Sequence, residues 1–301
     1  MIRSATNRNR IRPTRGETIF YAANGAFLTL FLIATVYPLL CLISSAISDP
    51  AAVYTGRVTF YPIGFSLRGF EINLQNAKVL IGFANTLLYT VSGTALSLAV
   101  TLLTAFALSR HELIGRSAIS LFFAFTMWFS GGLIPFYLLV RDLGMYNTRW
   151  ALIVPGVVNV WNVIVCRTNI NSTIPEEMYE AASIDGCGYF RFFLRMVVPL
   201  SKPIIAVIVL WTAIGHWNSY FNALIFILDN DKKPLQLYLR EYLVSSNVVD
   251  LSNVDFNTES LGIQELVKNS LILLSVLPLW IFYPFIQKYF VKGVMVGAVK
   301  G

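Results

Sequence analysis

Charge is what this sequence has least of. Asp, Glu, Lys and Arg make up 13% of its 301 residues, about half the share of an ordinary soluble domain. With 56% hydrophobic residues and a mean hydropathy of +0.63, the chain has too little polar material to cover a water-facing surface. It reads as an all-α polytopic membrane protein. Cysteine is scarce too. Cys41, Cys166 and Cys187 stand far apart without ligand spacing, so neither a disulfide framework nor a metal site is expected. Histidine occurs only as His111 and His216, which leaves no His cluster or nucleophile–base set for an intramembrane enzyme. The pattern G-x-x-x-x-G-K-[ST] is missing, so the chain has no phosphate cradle of that type. Its apolar runs contain no Asp, Glu, Lys or Arg, the groups that ion-driven carriers keep inside the bilayer. Energy for any transport must come from another subunit.

Apolar runs are what the sequence has in abundance. A spanning helix needs about 20 such residues, and six runs qualify or come close. They are Thr18–Ser48, containing Pro38; Val79–Ser109; Ser117–Val140, interrupted at Gly131, Gly132 and Pro135; Trp150–Cys166, containing Pro155; Pro203–Leu228; and Asn269–Gln287. The first is longer than the ~7–15 residues of a signal core, so it is expected to stay as a membrane helix. Residues 1–18 hold five arginines and one acid, Glu17, and read as a cytoplasmic tail. Asp49–Gly82 and Asp229–Lys268 read as polar loops.

Six spans place both termini on one side. With the N-terminus inside, the inner segments carry 14 Lys and Arg against 9 in the longer outer loops, and 6 acids against 10. That excess of inner Lys and Arg predicts cytoplasmic termini. It also places the polar stretch Glu176–Pro199, between the fourth and fifth runs, in the cytoplasm.

This stretch is built as helix, turn, helix. Pro175 suits a first helical turn, and Glu176, Glu177 and Glu180 suit the positive end of the helix dipole. Gly186 and Gly188 allow a sharp turn. A second short helix is predicted to present Phe190, Phe193, Leu194 and Val197 on one face. Pro199 begins the next apolar run.

Glu180-Ala181-Ala182, then Gly186 after three residues, then Met196 to Pro199 after nine more, resembles the signature of permease subunits of ATP-driven (ABC-type) importers. Met196 and Val198 stand where that signature has Ile and Leu. The resemblance implies six transmembrane helices with a cytoplasmic coupling-helix loop between helices 4 and 5. It spans a permease domain of residues 19–301, with its core at about 83–290. It implies that Glu180, Ala181, Ala182, Asp185, Gly186 and Pro199 meet an ATPase. The implied partners are a second permease subunit in a heterodimer, two ATPase subunits that hold ATP and Mg, and an extracytoplasmic solute-binding protein, all at the bacterial inner membrane. No cofactor on this chain and no nucleic acid are implied.

Within the family the chain is similar to the smaller permease of maltose-type pairs. This rests on Trp217-Asn218 with Tyr220 and Phe221, and on the tail from Val291 to Gly301. Two further stretches, from Ser130 to Gly156 and from Pro234 to Leu243, resemble a subgroup associated with complex, often acidic oligosaccharides. Sugars bind through aromatic faces and amide or hydroxyl groups, so Asn159, Trp161, Asn162, Trp217, Asn218 and Tyr220 are the expected substrate-path residues. Trp211, His216 and Asn222 offer the same chemistry. Lys232, Lys233, Arg240 and Arg167 are the cations an acidic sugar would seek, although loop and membrane-edge charges are ordinarily solvated anchors. A non-sugar solute and a non-transporting assembly protein are the alternatives.

Overall fold

A computed structural model describes residues 14–247 and 258–297, with side chains at 14–245 and 261–284. Among the described residues there is no strand. The helices are α1 (Arg15–Ala46), α2 (Pro50–Tyr54), α3 (Arg68–Gln75), α4 (Ala77–Ser109), α5 (Arg116–Trp128), α6 (Leu133–Asp142), α7 (Trp150–Ile153), α8 (Val160–Thr173), α9 (Glu176–Ile184), α10 (Tyr189–Phe192), α11 (Val198–Leu200), α12 (Lys202–Trp217), α13 (Phe221–Phe226), α14 (Leu235–Asn247) and α15 (Thr258–Gly297).

Three of these are long and apolar enough to cross a membrane: α1, α4 and the Leu261–Pro284 part of α15. Two bent pairs raise the number to five if each pair is one span. The first is α5 with α6, bent by 117°, where Gly132 holds φ +84, a conformation only glycine adopts freely. The second is Tyr189–Leu200 with α12, bent by 82°. The run expected as the fourth span is divided. Asn159 accepts a hydrogen bond from the Asn162 N–H and starts α8 afresh after α7. At 14 residues α8 is roughly 21 Å long, short of the ~30 Å hydrocarbon core. The first helix also starts earlier than hydropathy suggests, because Thr14 and Glu17 form a reciprocal capping box inside the expected tail.

The chain forms two compact units. One comprises Met1–Gly69 and Asp255–Ser270. Here α1 is exposed over most of its length and becomes buried only near Ser44 and Ala46. The Asp49 carboxylate accepts from the N–H groups of Ala51 and Ala52 and caps α2. Pro50, just after it, packs against Gly262: a Cβ on Gly262 would lie 2.2 Å from the Pro50 carbonyl oxygen. Gly262→Ala is therefore expected to destabilise this unit by about 1–3 kcal/mol, as overpacking does, read as a lower thermal midpoint in detergent.

The other unit comprises Phe70–Val254 and Leu271–Gly301. Its axis is α4, against which α8, α12 and α14 pack. Near its C-terminal end, Leu102, Ala105 and Phe106 join Val163, Cys166, Ile170, Phe192, Val197 and Ile208 in the main core cluster. Near its start, Val79 packs with Leu235, Leu239 and Leu271. The stretch expected as an outer loop contains α14 and the beginning of α15. Alternating Leu235, Leu237 and Leu239 hide the helical period there, and contact with α4 decides it. Buried polar groups of α4 hold the segment before α14. The Asn85 amide donates to the carbonyls of Asp231 (2.7 Å) and Lys233 (3.1 Å), the Tyr89 hydroxyl donates to that of Lys232 (2.8 Å), and the Thr86 hydroxyl accepts from Leu235 N–H (2.8 Å).

Candidate functional site

The polar stretch between α8 and α12 folds into an elbow. Pro175 is extended and α9 follows, with Glu176 and Glu177 in its first turn. The helix ends at Gly186, whose φ of +76 suits the left-handed closing residue. The Gly186 N–H donates to Ser183 O at 3.0 Å and the Cys187 N–H to Ala182 O at 2.9 Å, the two bonds of a Schellman closure. Ala182 and Cys187 pack together onto the core. Glu180, Ala181, Asp185 and Gly186 face outward, and Ile184 between them is 87% exposed. An apolar side chain so open at the tip of a polar elbow is a natural docking point.

The second half of the elbow departs from expectation. Phe193 and Val197 are buried, but Phe190 and Leu194 are 68% and 50% exposed, and Phe192 takes their place in the core. The cause is a π turn over Phe193–Val197. The Val198 N–H bonds the Phe193 carbonyl five residues back, and Pro199 has no N–H to restore the α pattern. The extra residue in the turn rotates the face. Pro199 itself is exposed and lies inside α11.

A cluster of aromatic and charged side chains fixes the elbow to the end of α4 and the turn after it. The Tyr179 ring stacks on Tyr189 (centroids 5.0 Å apart) and meets Phe192 edge-on (5.2 Å). The Tyr189 hydroxyl donates to Glu112. The Arg110 guanidinium lies 5.5 Å from the Phe106 ring centre and 5.3 Å from that of Tyr179. Its Nη1 is 3.4 Å from the Glu176 carboxylate. None of these partners was apparent from sequence. The available signal was a lone arginine directly after an apolar run, which reads equally well as a membrane-edge anchor.

A cavity of about 400 Å³ opens between α4, α8 and α12. It brings Asn159, Trp161 and Asn162 together with Trp211, His216 and Asn222. The two indoles are each about half exposed. The Asn162 amide reaches the Thr212 hydroxyl at 3.4 Å. The His216 ring packs over Gly93 of α4, where a Cβ would come within 2.5 Å of it. Among the described residues, no Asp, Glu, Lys or Arg lines the cavity. The arrangement suits a ring-shaped, hydroxylated surface.

Three expected path residues lie elsewhere. Trp217 is buried, with its indole N–H donating to Ser275 O (2.8 Å) and its ring edge-on to Phe83. The Asn218 amide closes the end of α12 on Ile214 O. The Tyr220 ring carries the Arg240 guanidinium at 5.6 Å. On a helix each residue turns about 100° from the last, so Trp217 leaves the face that His216 occupies. The other cations are engaged as well. Lys232 bonds Asn147 O and Asp229, Lys233 pairs with Glu241, and Arg167 donates to Ser120. Lys232 and Asn147 hold the Asp229 carboxyl below its usual pKa.

A family profile described as the binding-protein-dependent transport system inner membrane component matches residues 83–296. The chain belongs to this family. The permease is 34% identical over 275 residues to the polygalacturonan/rhamnogalacturonan transport system permease protein YtcP of Bacillus subtilis strain 168, covering 91% of this chain and 96% of that one. It is 35% identical over 288 residues to protein LplC of the same organism, covering 96% and 97%. Its fold matches a chain of a bacterial ABC transporter involved in the import of the acidic polysaccharide alginate, with a TM-score of 0.84 and 34% identity over 93% of this chain and 99% of that chain. The permease is thus an all-α membrane component of a transport system.

Proposed function

We propose that this permease carries oligosaccharides, including acidic ones, inward across the bacterial cytoplasmic membrane. It works with a second, homologous permease subunit as a heterodimer. Two ATPase subunits, which hold ATP and Mg, complete the complex, and one of them docks on this chain's elbow through Glu180, Ala181, Asp185 and Gly186. An extracytoplasmic binding protein delivers the sugar. In this reading both termini are cytoplasmic, a placement supported by the excess of Lys and Arg in the segments assigned to the inner side.

The observation that carries this reading is the cavity. Two half-exposed indoles and three asparagine amides line one neutral recess beside the axial helix α4. Indole faces match the apolar C–H faces of pyranose rings, and amides match their hydroxyls. Relatives named for polygalacturonan and rhamnogalacturonan and a solved relative named for alginate support the acidic class.

The test is uptake in reconstituted vesicles containing both permeases and the ATPase, with binding protein loaded with oligogalacturonate. Trp161→Ala and Trp211→Ala should each lower uptake roughly five- to tenfold, the scale of an aromatic contact worth about 1–1.5 kcal/mol. Assembly should be unchanged, because both rings are partly open to solvent. Asn218→Ala should have little effect. Uptake unaffected by either tryptophan change would remove the cavity from the path.

A further inference from the structure

The elbow offers an exposed face to a partner, but docking alone moves nothing in the membrane. Something must carry displacement of the elbow to the cavity. Helices α8 and α12 lead into and out of the elbow and line the cavity, and α4, which is not part of the elbow, also reaches both. Helix α4 is 33 residues long, roughly 50 Å. Ser97, near its middle, lines the cavity, and Phe106 and Ser109 lie at the end that meets the elbow.

We infer that Arg110 is the positioning residue that makes α4 and the coupling helix α9 move as one body. This rests on the reading of the elbow as an ATPase dock. The residue is 4% exposed, so it is not part of the docking face. Its guanidinium turns inward directly after α4, and the groups it meets lie on both elements. On α4's side are Phe106, 5.5 Å away, and the Ser109 hydroxyl, 3.3 Å from Nε. On α9 are Glu176, 3.4 Å away, and Tyr179, 5.3 Å away. Glu176 and Tyr179 are spaced i,i+3, so they share one side of α9. A flat cation between two rings, with a carboxylate at its edge, resists both sliding and separation. Lysine cannot reproduce this, because it lacks the planar surface. The Tyr189–Glu112 bond adds a second, exposed strut between the elbow and the turn after α4.

A merely structural role would lower ATPase and uptake together, in proportion to assembled complex. A positioning role separates them. The experiment compares Arg110→Leu/Glu176→Leu, which removes the pair without orphaning either charge, with Arg110→Lys and the wild type. Each is reconstituted with its partner permease and ATPase, with and without binding protein loaded with oligogalacturonate. The double variant is expected to assemble and to keep basal ATPase within about twofold, while the stimulation by loaded binding protein and the uptake fall at least tenfold. Arg110→Lys should fall in between. Stimulation and uptake within twofold of wild type in the double variant would overturn the inference. If the double variant does not assemble, Arg110→Lys decides alone: assembled with a weakened ATPase response it supports the inference, and assembled with an intact response it overturns it. Failure of both variants to assemble makes Arg110 a structural plug and also overturns it. If the wild-type complex itself shows no stimulation, or Glu180→Arg leaves coupling intact, it is the docking reading that fails, and the inference falls with it.

Discussion

Glu180→Arg should abolish the ATPase response to loaded binding protein while leaving the permease folded. Glu180 is exposed on α9, on the outward side of the elbow. A charge reversal on an exposed helix surface changes folding stability by about 0.5 kcal/mol or less. At a docked interface, loss of a charged partner costs about 2–5 kcal/mol, roughly 30-fold or more in affinity. The two scales separate cleanly. Thermal midpoint and yield should match wild type, and co-purification of the ATPase and stimulated hydrolysis should be lost. Gly186→Val tests the same elbow through its backbone. At φ +76 a β-branched residue is strained by about 1–2 kcal/mol, and the two closing bonds to Ser183 and Ala182 depend on that conformation. Coupling should fall here too, with a small loss of stability. Normal stimulation in both variants would detach the elbow from the ATPase.

Phe192→Ala should be the most damaging single change in the seat of the elbow. Its ring is fully buried, edge-on to Tyr179 and 6.4 Å from Phe106. Emptying such a site costs about 3–5 kcal/mol. The elbow would lose its purchase on the core although its exposed face is untouched. Phe190→Ala, two residues away and largely exposed, should stay within about 0.5 kcal/mol of wild type. Thermal unfolding in detergent, followed by the ATPase response, reads both. Equal losses in the two variants would mean that the π turn does not set which phenylalanine faces inward.

That pair of phenylalanines marks the limit of what the sequence reveals. An α-helical count from Phe193 and Val197 leads to Phe190 and Leu194. The π turn shifts the register by one residue, and it forms because Phe192 finds a place among Phe106, Tyr179 and the α8 side chains. No local pattern encodes that choice. The cavity shows the same limit. Asn159, Trp161 and Asn162 were identifiable as polar and aromatic residues opening α8, and they do share a recess. Trp217 and Tyr220 carry the same chemistry, but helix rotation sends Trp217 into the core, and Tyr220, in the link between α12 and α13, meets Arg240.

The sequence by itself determined the membrane class, the apolar runs, the break at Gly131 and Gly132, and the turn at Gly186. Each depends on hydropathy or on backbone freedom, which are properties of a few neighbouring residues. The tertiary structure alone decided that Arg110 faces Glu176 and Tyr179, 66 and 69 positions away, that α14 is a helix, and which indoles share a cavity. Those depend on which faces meet across α4, and a face is chosen by everything packed against it.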